Sequence, residues 1–137
     1  MGRRTVKVTA DTNVLVRAIT EDDVQQSPRA QAELAAAEQV VVTIPTLCEL
    51  CWVLNRGYRI APSEIASVVR RVIDSANVVT NRPAAEAGLA LLEAGGDFGD
   101  GVIAFEGRQL GGEFFLSFDR KATRLIQAQG TAVRLLA

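Results

Sequence analysis

Short β-branched and aromatic runs alternate with longer stretches whose apolar positions recur at helical spacing. Thr5 to Ala10 reads as a strand, with Val6 and Val8 expected to face inward. Asp11-Thr12-Asn13 breaks that strand and caps a helix, Val14 to Ile19, and Glu21-Asp22-Asp23 makes a turn. A second helix starts at Ser27-Pro28, with proline in the first turn, and runs to about Glu38. Val40 to Ile44 (VVVTI) is almost wholly apolar and β-branched, as a strand buried on both faces should be. Pro45 opens a helix to Arg56, stopped by Gly57, and Pro62 or Ser63 opens another to about Ser75.

Asn77 to Thr80 forms a short strand, and Pro83 begins a helix to Ala94, closed by Gly95-Gly96. Asp97 to Gln109 is the next helix, entered through Asp-Phe-Gly-Asp-Gly. Phe114 to Phe118 (FFLSF) is a strand, Asp119 or Arg120 to Gln129 a helix stopped by Gly130, and Thr131 to Leu135 the last strand. About five strands and seven helices in alternation predict an α/β fold with a central, mostly parallel sheet covered on both faces. Neither a repeat nor a linker interrupts the pattern, and 137 residues suit one domain spanning 1–137.

Four acids fall where strands end or helices begin: Asp11, Glu49, Asp100 and Asp119, with Asp97 one turn before Asp100. Open α/β sheets bind ligands beyond the carboxyl ends of their strands, which is where such side chains point. Asp is also a favoured helix cap, so each alone has an ordinary structural role. Glu49 is the only charge between Pro45 and Asn55, among Leu47, Cys48, Leu50, Cys51 and Trp52. Two carboxylates about 4 Å apart repel by about 4 kcal/mol at an effective dielectric near 20. A hard divalent cation, Mg²⁺ or Mn²⁺, relieves that conflict, and can activate water and neutralise charge on a phosphate. Thr12, Asn13 and Ser117 are suitable groups to orient ligands and water around it.

Charge and composition narrow the chemistry. The chain has no His, which excludes Ser-His-Asp triads and His-based zinc sites. The net charge is -1, but setting aside the five acids leaves eleven against fifteen bases, a balance of +4 that suits a nucleic-acid substrate. Arg17, Arg120 and Lys121 are candidates to hold flanking phosphates, against the plainer role of solvated helix-end charges. Cys48 and Cys51 form a lone C-x-x-C without further ligands, and are expected to pack as small hydrophobes. Leu50, Trp52, Leu54 and Tyr58 are expected to form an apolar face packed into the core, with a partner surface as the alternative. No apolar run spans a bilayer and no signal peptide is recognisable, so a cytoplasmic protein with no membrane contact is expected.

Asp11-Thr12-Asn13, the embedded Glu49, Asp97-Phe-x-Asp100-x-x-Ile-Ala and Ser117-Phe-Asp119-Arg-Lys together resemble the PIN-domain family, most closely the VapC-type toxins of bacterial toxin–antitoxin pairs. The resemblance implies a three-layer α/β/α PIN-like fold and a Mg²⁺- or Mn²⁺-dependent ribonuclease. It implies Asp11, Glu49, Asp100 and Asp119 as catalytic, metal-binding acids, with Asp97, Thr12, Asn13 and Ser117 auxiliary. It also implies a homodimer inhibited by a VapB-like antitoxin, with DNA contacted only through that antitoxin. The rival reading is a catalytically silent PIN-fold module whose acidic pocket docks a basic segment. One departure stands out: Gly99 and Gly101 flank Asp100 where relatives often carry Ala, so a loose helix start is expected there.

Overall fold

The computed structural model describes residues 6–137. Thr5, the first residue of the expected opening strand, lies outside the described residues. In chain order the elements are β1 (Lys7–Thr9), α1 (Thr12–Thr20), α2 (Gln26–Ala36), β2 (Gln39–Val41), α3 (Ile44–Arg56) and α4 (Pro62–Asp74). They continue with β3 (Val78–Val79), α5 (Arg82–Glu93), α6 (Phe98–Gln109), β4 (Phe115–Ser117), α7 (Arg120–Ala128) and β5 (Val133–Leu135). This is the α/β alternation read from the hydrophobic pattern, with strand pairs all parallel.

The strands form two hydrogen-bonded groups rather than one continuous sheet. β1-β2-β3 makes one, with Val8 opposite Val40 and Val40 opposite Val78. β4-β5 makes the other, with Leu116 opposite Arg134. β1 and β4 each keep one edge unpaired among the described residues. Two expectations fail here. Val6 is exposed rather than inward, and the strand expected to run to Ile44 ends at Val41. The FFLSF run leaves Phe114, Leu116 and Phe118 exposed. Ile44 belongs to α3, because Thr43 caps that helix through a hydrogen bond from Thr46 N–H and Pro45 sits in its first turn.

The main core gathers Val40 and Val42, the inner face of α3 (Leu47, Leu50, Leu54), Ile65 and Val69 of α4, Leu89 of α5 and Phe98 of α6. A smaller cluster joins Leu91 and Ala104 to Leu125 and Ile126, and so seats α7 on α5 and α6. α4 is fastened to α5 by Arg70, whose guanidinium reaches both oxygens of Glu86 at 2.8 and 2.7 Å. α5 and α6 approach closely because Gly88 and Gly101 face each other. A Cβ on Gly101 would meet the Ala87 carbonyl oxygen at 2.6 Å and the Leu91 Cβ at 2.9 Å. A Cβ on Gly88 would meet the Phe98 ring at 2.7 Å. Gly101 is therefore a packing requirement, and the loose helix start expected from it is replaced by a tight crossing. No described helix is long and apolar enough to cross a membrane.

Candidate functional site

Three of the acids are helix caps. Asp11 Oδ1 accepts from Val14 N–H at 2.9 Å, Asp97 Oδ2 from Asp100 N–H at 3.0 Å, and Asp119 Oδ1 from Ala122 N–H at 2.9 Å. Each follows an extended backbone and enters a helix, which is the local reason Asp occupies these positions. Capping fixes each carboxylate's direction through one oxygen and leaves the second oxygen outside that bond. Ser117 extends the arrangement: its Oγ accepts from Asp119 N–H at 2.9 Å. Thr12 Oγ1 donates to Glu49 Oε1 at 2.7 Å, which ties the start of α1 to α3. Among the described residues, no Lys or Arg forms an ion pair with Asp11, Glu49, Asp97, Asp100 or Asp119.

Asp97, Asp100 and Asp119 line one open cleft of about 320 Å³. Its walls come from α3 (Cys51, Trp52, Asn55, Arg56), the Gly95-Gly96 turn and the start of α7 (Lys121, Ala122). Asp100 is half-buried, and burial pushes its carboxyl above the ordinary 3.8, helped by the negative charges of Asp97 and Asp119. Asp11 and Asn13 line a different cleft with Arg17, Gln26, Arg29 and Glu33. The sequence-predicted acids are thus brought together as a trio, Asp97, Asp100 and Asp119, and as the Thr12–Glu49 pair, with Asp11 opening on its own side.

The donor set suits a hard divalent cation in kind: it is all oxygen, negatively charged and, among the described residues, without an ion-pair partner. In the arrangement described, no three Asp, Glu, Cys or His side chains draw close enough to share one ion among the described residues. The raised Asp100 carboxyl shows the electrostatic cost that a cation would relieve.

Several surrounding residues differ from expectation. Arg17 is already engaged, donating to Gln26 Oε1 at 2.7 Å and to Asp22 Oδ1 at 3.4 Å, so it is not a free phosphate contact. Lys121 does line the acidic cleft. Cys51 is buried, and burial first, then the neighbouring Cys48 and Asp97, pushes its thiol up to about 12. Cys48 is also shifted upward by burial, so the pair behaves as packed apolar groups, as expected. Leu50 and Leu54 are in the core, but Trp52 is 63% exposed at the lip of the cleft. The signal was present in the spacing. Leu47, Leu50 and Leu54 occupy one helical face, and Glu49, Trp52 and Arg56 the opposite one.

Comparison with known proteins gives one family. No curated protein matches the chain. The family model described as PIN domain matches residues 8–126, which takes in every acid discussed above. With that match over most of its length, and with the α/β alternation and strand-end acids already described, the chain belongs to the PIN domain family.

Proposed function

We propose that this chain is a metal-dependent endoribonuclease, a toxin of the VapC type, that hydrolyses RNA phosphodiester bonds at the acidic cleft. PIN domains are generally metal-dependent nucleases, which sets the class. The observation that carries the reading is the trio Asp97, Asp100 and Asp119 on one cleft, in no ion pair among the described residues, with Asp100 held above its ordinary range. Asp100 and Asp119 on this cleft would hold Mg²⁺ or Mn²⁺, joined by Glu49 and by Asp11, which lines a separate cleft and must draw toward them to share an ion. The cation supplies Lewis-acid stabilisation of the phosphate and activation of water.

The chain's own groups have separate tasks. Asp97 fixes the first turn of α6 and so aims Asp100. Ser117 holds the backbone that presents Asp119. Thr12 fixes one oxygen of Glu49, and Asn13 sits beside Asp11 to orient water or a ligand. Lys121 and Arg56, both on the cleft wall, supply positive charge for phosphates flanking the cut.

The same reading includes a homodimer and inhibition by a VapB-like antitoxin whose C-terminal segment covers the cleft, with DNA contacted only by the antitoxin. The exposed apolar residues Ile103, Phe114 and Leu116, which line one surface groove, support an assembly, because an exposed apolar patch favours a partner surface. The test is cleavage of transfer and ribosomal RNAs in Mg²⁺ and in EDTA at matched ionic strength, by wild type and Asp119→Asn. Metal-dependent cleavage lost in the variant supports the reading. A protein that binds a basic peptide but cuts no RNA in Mg²⁺ or Mn²⁺ is instead the silent docking module.

A further inference from the structure

We infer that Trp52 is a stacking platform for an unpaired base, so that the acidic cleft takes single-stranded RNA. The inference deepens the nuclease reading and rests on it for the identity of the cleft.

Trp52 contributes little to the core. The opposite face of α3 already carries Leu47, Leu50 and Leu54, all 0% exposed, whereas the indole of Trp52 is 63% exposed. Its position is specific. Glu49 lies three residues before it and Arg56 four after it, on the same stripe of α3. Asn55 and Arg56 line the acidic cleft beside it, and Lys121 lines it from α7. Trp52 therefore stands among the cleft's cationic residues, one helical turn from Glu49. A polyanion approaching carboxylates is repelled by them and is best held from the Arg56–Lys121 side. The groups there suit a nucleotide: an indole face for a base, the amide oxygen of Asn55, whose Nδ2 donates to the Ile60 carbonyl, for its edge, and two cations for phosphates. A duplex hides its base faces, so this set discriminates in favour of an unpaired strand.

Trp52 is the chain's only tryptophan, so its emission reports this position alone. The full chain in EDTA, which withholds the cation that cleavage needs, is titrated with a short single-stranded oligoribonucleotide, with the corresponding duplex, and with a basic peptide. Binding is followed separately by anisotropy of a labelled strand. The single strand is expected to quench the emission, and the duplex much less. Trp52→Phe keeps a π-face and should bind within about threefold of wild type, whereas Trp52→Ala should weaken binding at least about fivefold. With substrate RNA in Mg²⁺, the alanine variant should raise KM more than it lowers kcat. Its melting temperature should match wild type, because the side chain is exposed.

Unchanged emission at a strand concentration that saturates the anisotropy would overturn the inference. So would equal binding by Trp52→Ala, or quenching by the basic peptide alone. Quenching by a strand that is never cut in any divalent cation would keep the platform and sink the nuclease. Cleavage with Trp52 silent would do the reverse.

Discussion

Asp119 caps α7, and under the proposed function it also ligates a cation. The two roles separate chemically. Asn caps a helix about as well as Asp, whereas Ala costs about 1 kcal/mol. Asp119→Asn should therefore melt close to wild type and lose cleavage, while Asp119→Ala should lose both stability and cleavage. Thermal unfolding beside a cleavage assay checks the pair. Equal activity in wild type and Asp119→Asn would show that the second oxygen has no charge-dependent task.

Asp100 gives a prediction of the opposite sign for stability. Its folded carboxyl binds a proton more tightly than the unfolded chain does, because burial and then Asp97 and Asp119 raise it above 3.8. Stability tied to this group is present in full below the ordinary value and is lost as pH rises through the folded value. Asp100→Asn removes a charge that is unfavourable at neutral pH. The variant should melt above wild type at pH 7, and the difference should vanish below about pH 3.8, the ordinary value for Asp. A stability cost of this kind is a common trade at active sites, and under the proposed function Asp100 carries one.

What the chain revealed about its residues divides along the same physical line. Caps were legible because Asp after an apolar strand has a local meaning that needs no tertiary information. The exposure of Trp52 was not read, because an aromatic residue among leucines is normally packed. Only the phase of the helix, with Glu49 and Arg56 on its stripe, shows that it faces outward.

At the scale of elements, α5 and α6 carry the sharpest test. Their crossing depends on Gly88 and Gly101, and the start of α6 carries both Asp97 and Asp100. Gly101→Ala forces a methyl against the Ala87 carbonyl oxygen, with 2.6 Å available. The helices must separate, at a cost of about 1–3 kcal/mol. Gly99→Ala meets only the Asp97 Oδ2 at 3.0 Å and, farther away, the Cys48 sulfur at 4.0 Å. Near-wild-type unfolding is expected for it, since helix propensity gains up to about 1 kcal/mol against that contact. Denaturant unfolding of both variants checks the contrast. A harmless Gly101→Ala would mean that the crossing is looser than described.

The glycine pair also marks a limit of reading by element. Propensity assigns both glycines the same penalty, and only the neighbouring helix distinguishes them. Strand β4 illustrates the same limit. Its FFLSF run reads as a strand, yet Leu116 and Phe118 are exposed, and among the described residues β4 pairs only with β5. Apolar content predicts a strand, but which edge and face it buries depends on partners distant in sequence.

For the molecule as a whole, the two strand groups meet different acids. β1 leads into Asp11, beside α2, while β4 leads into Asp119, in the cleft shared with Asp97 and Asp100. The alternation of elements was readable along the entire chain, since each unit is encoded by its own periodicity and caps. The grouping of strands into three and two was not, because pairing is a long-range property.

Asp97, Asp100 and Asp119 line one cleft, and under the proposed function a divalent cation bound there offsets their charge. A cation that binds the folded form raises its melting temperature by mass action. Calorimetric titration of wild type and Asp100→Asn with Mn²⁺ and Mg²⁺ is the most direct test. Wild type should take up the ion saturably, and Asp100→Asn at least about tenfold more weakly, as loss of more than about 1.4 kcal/mol of ligation requires. Equal uptake by the two proteins, or none by either, would contradict the proposal.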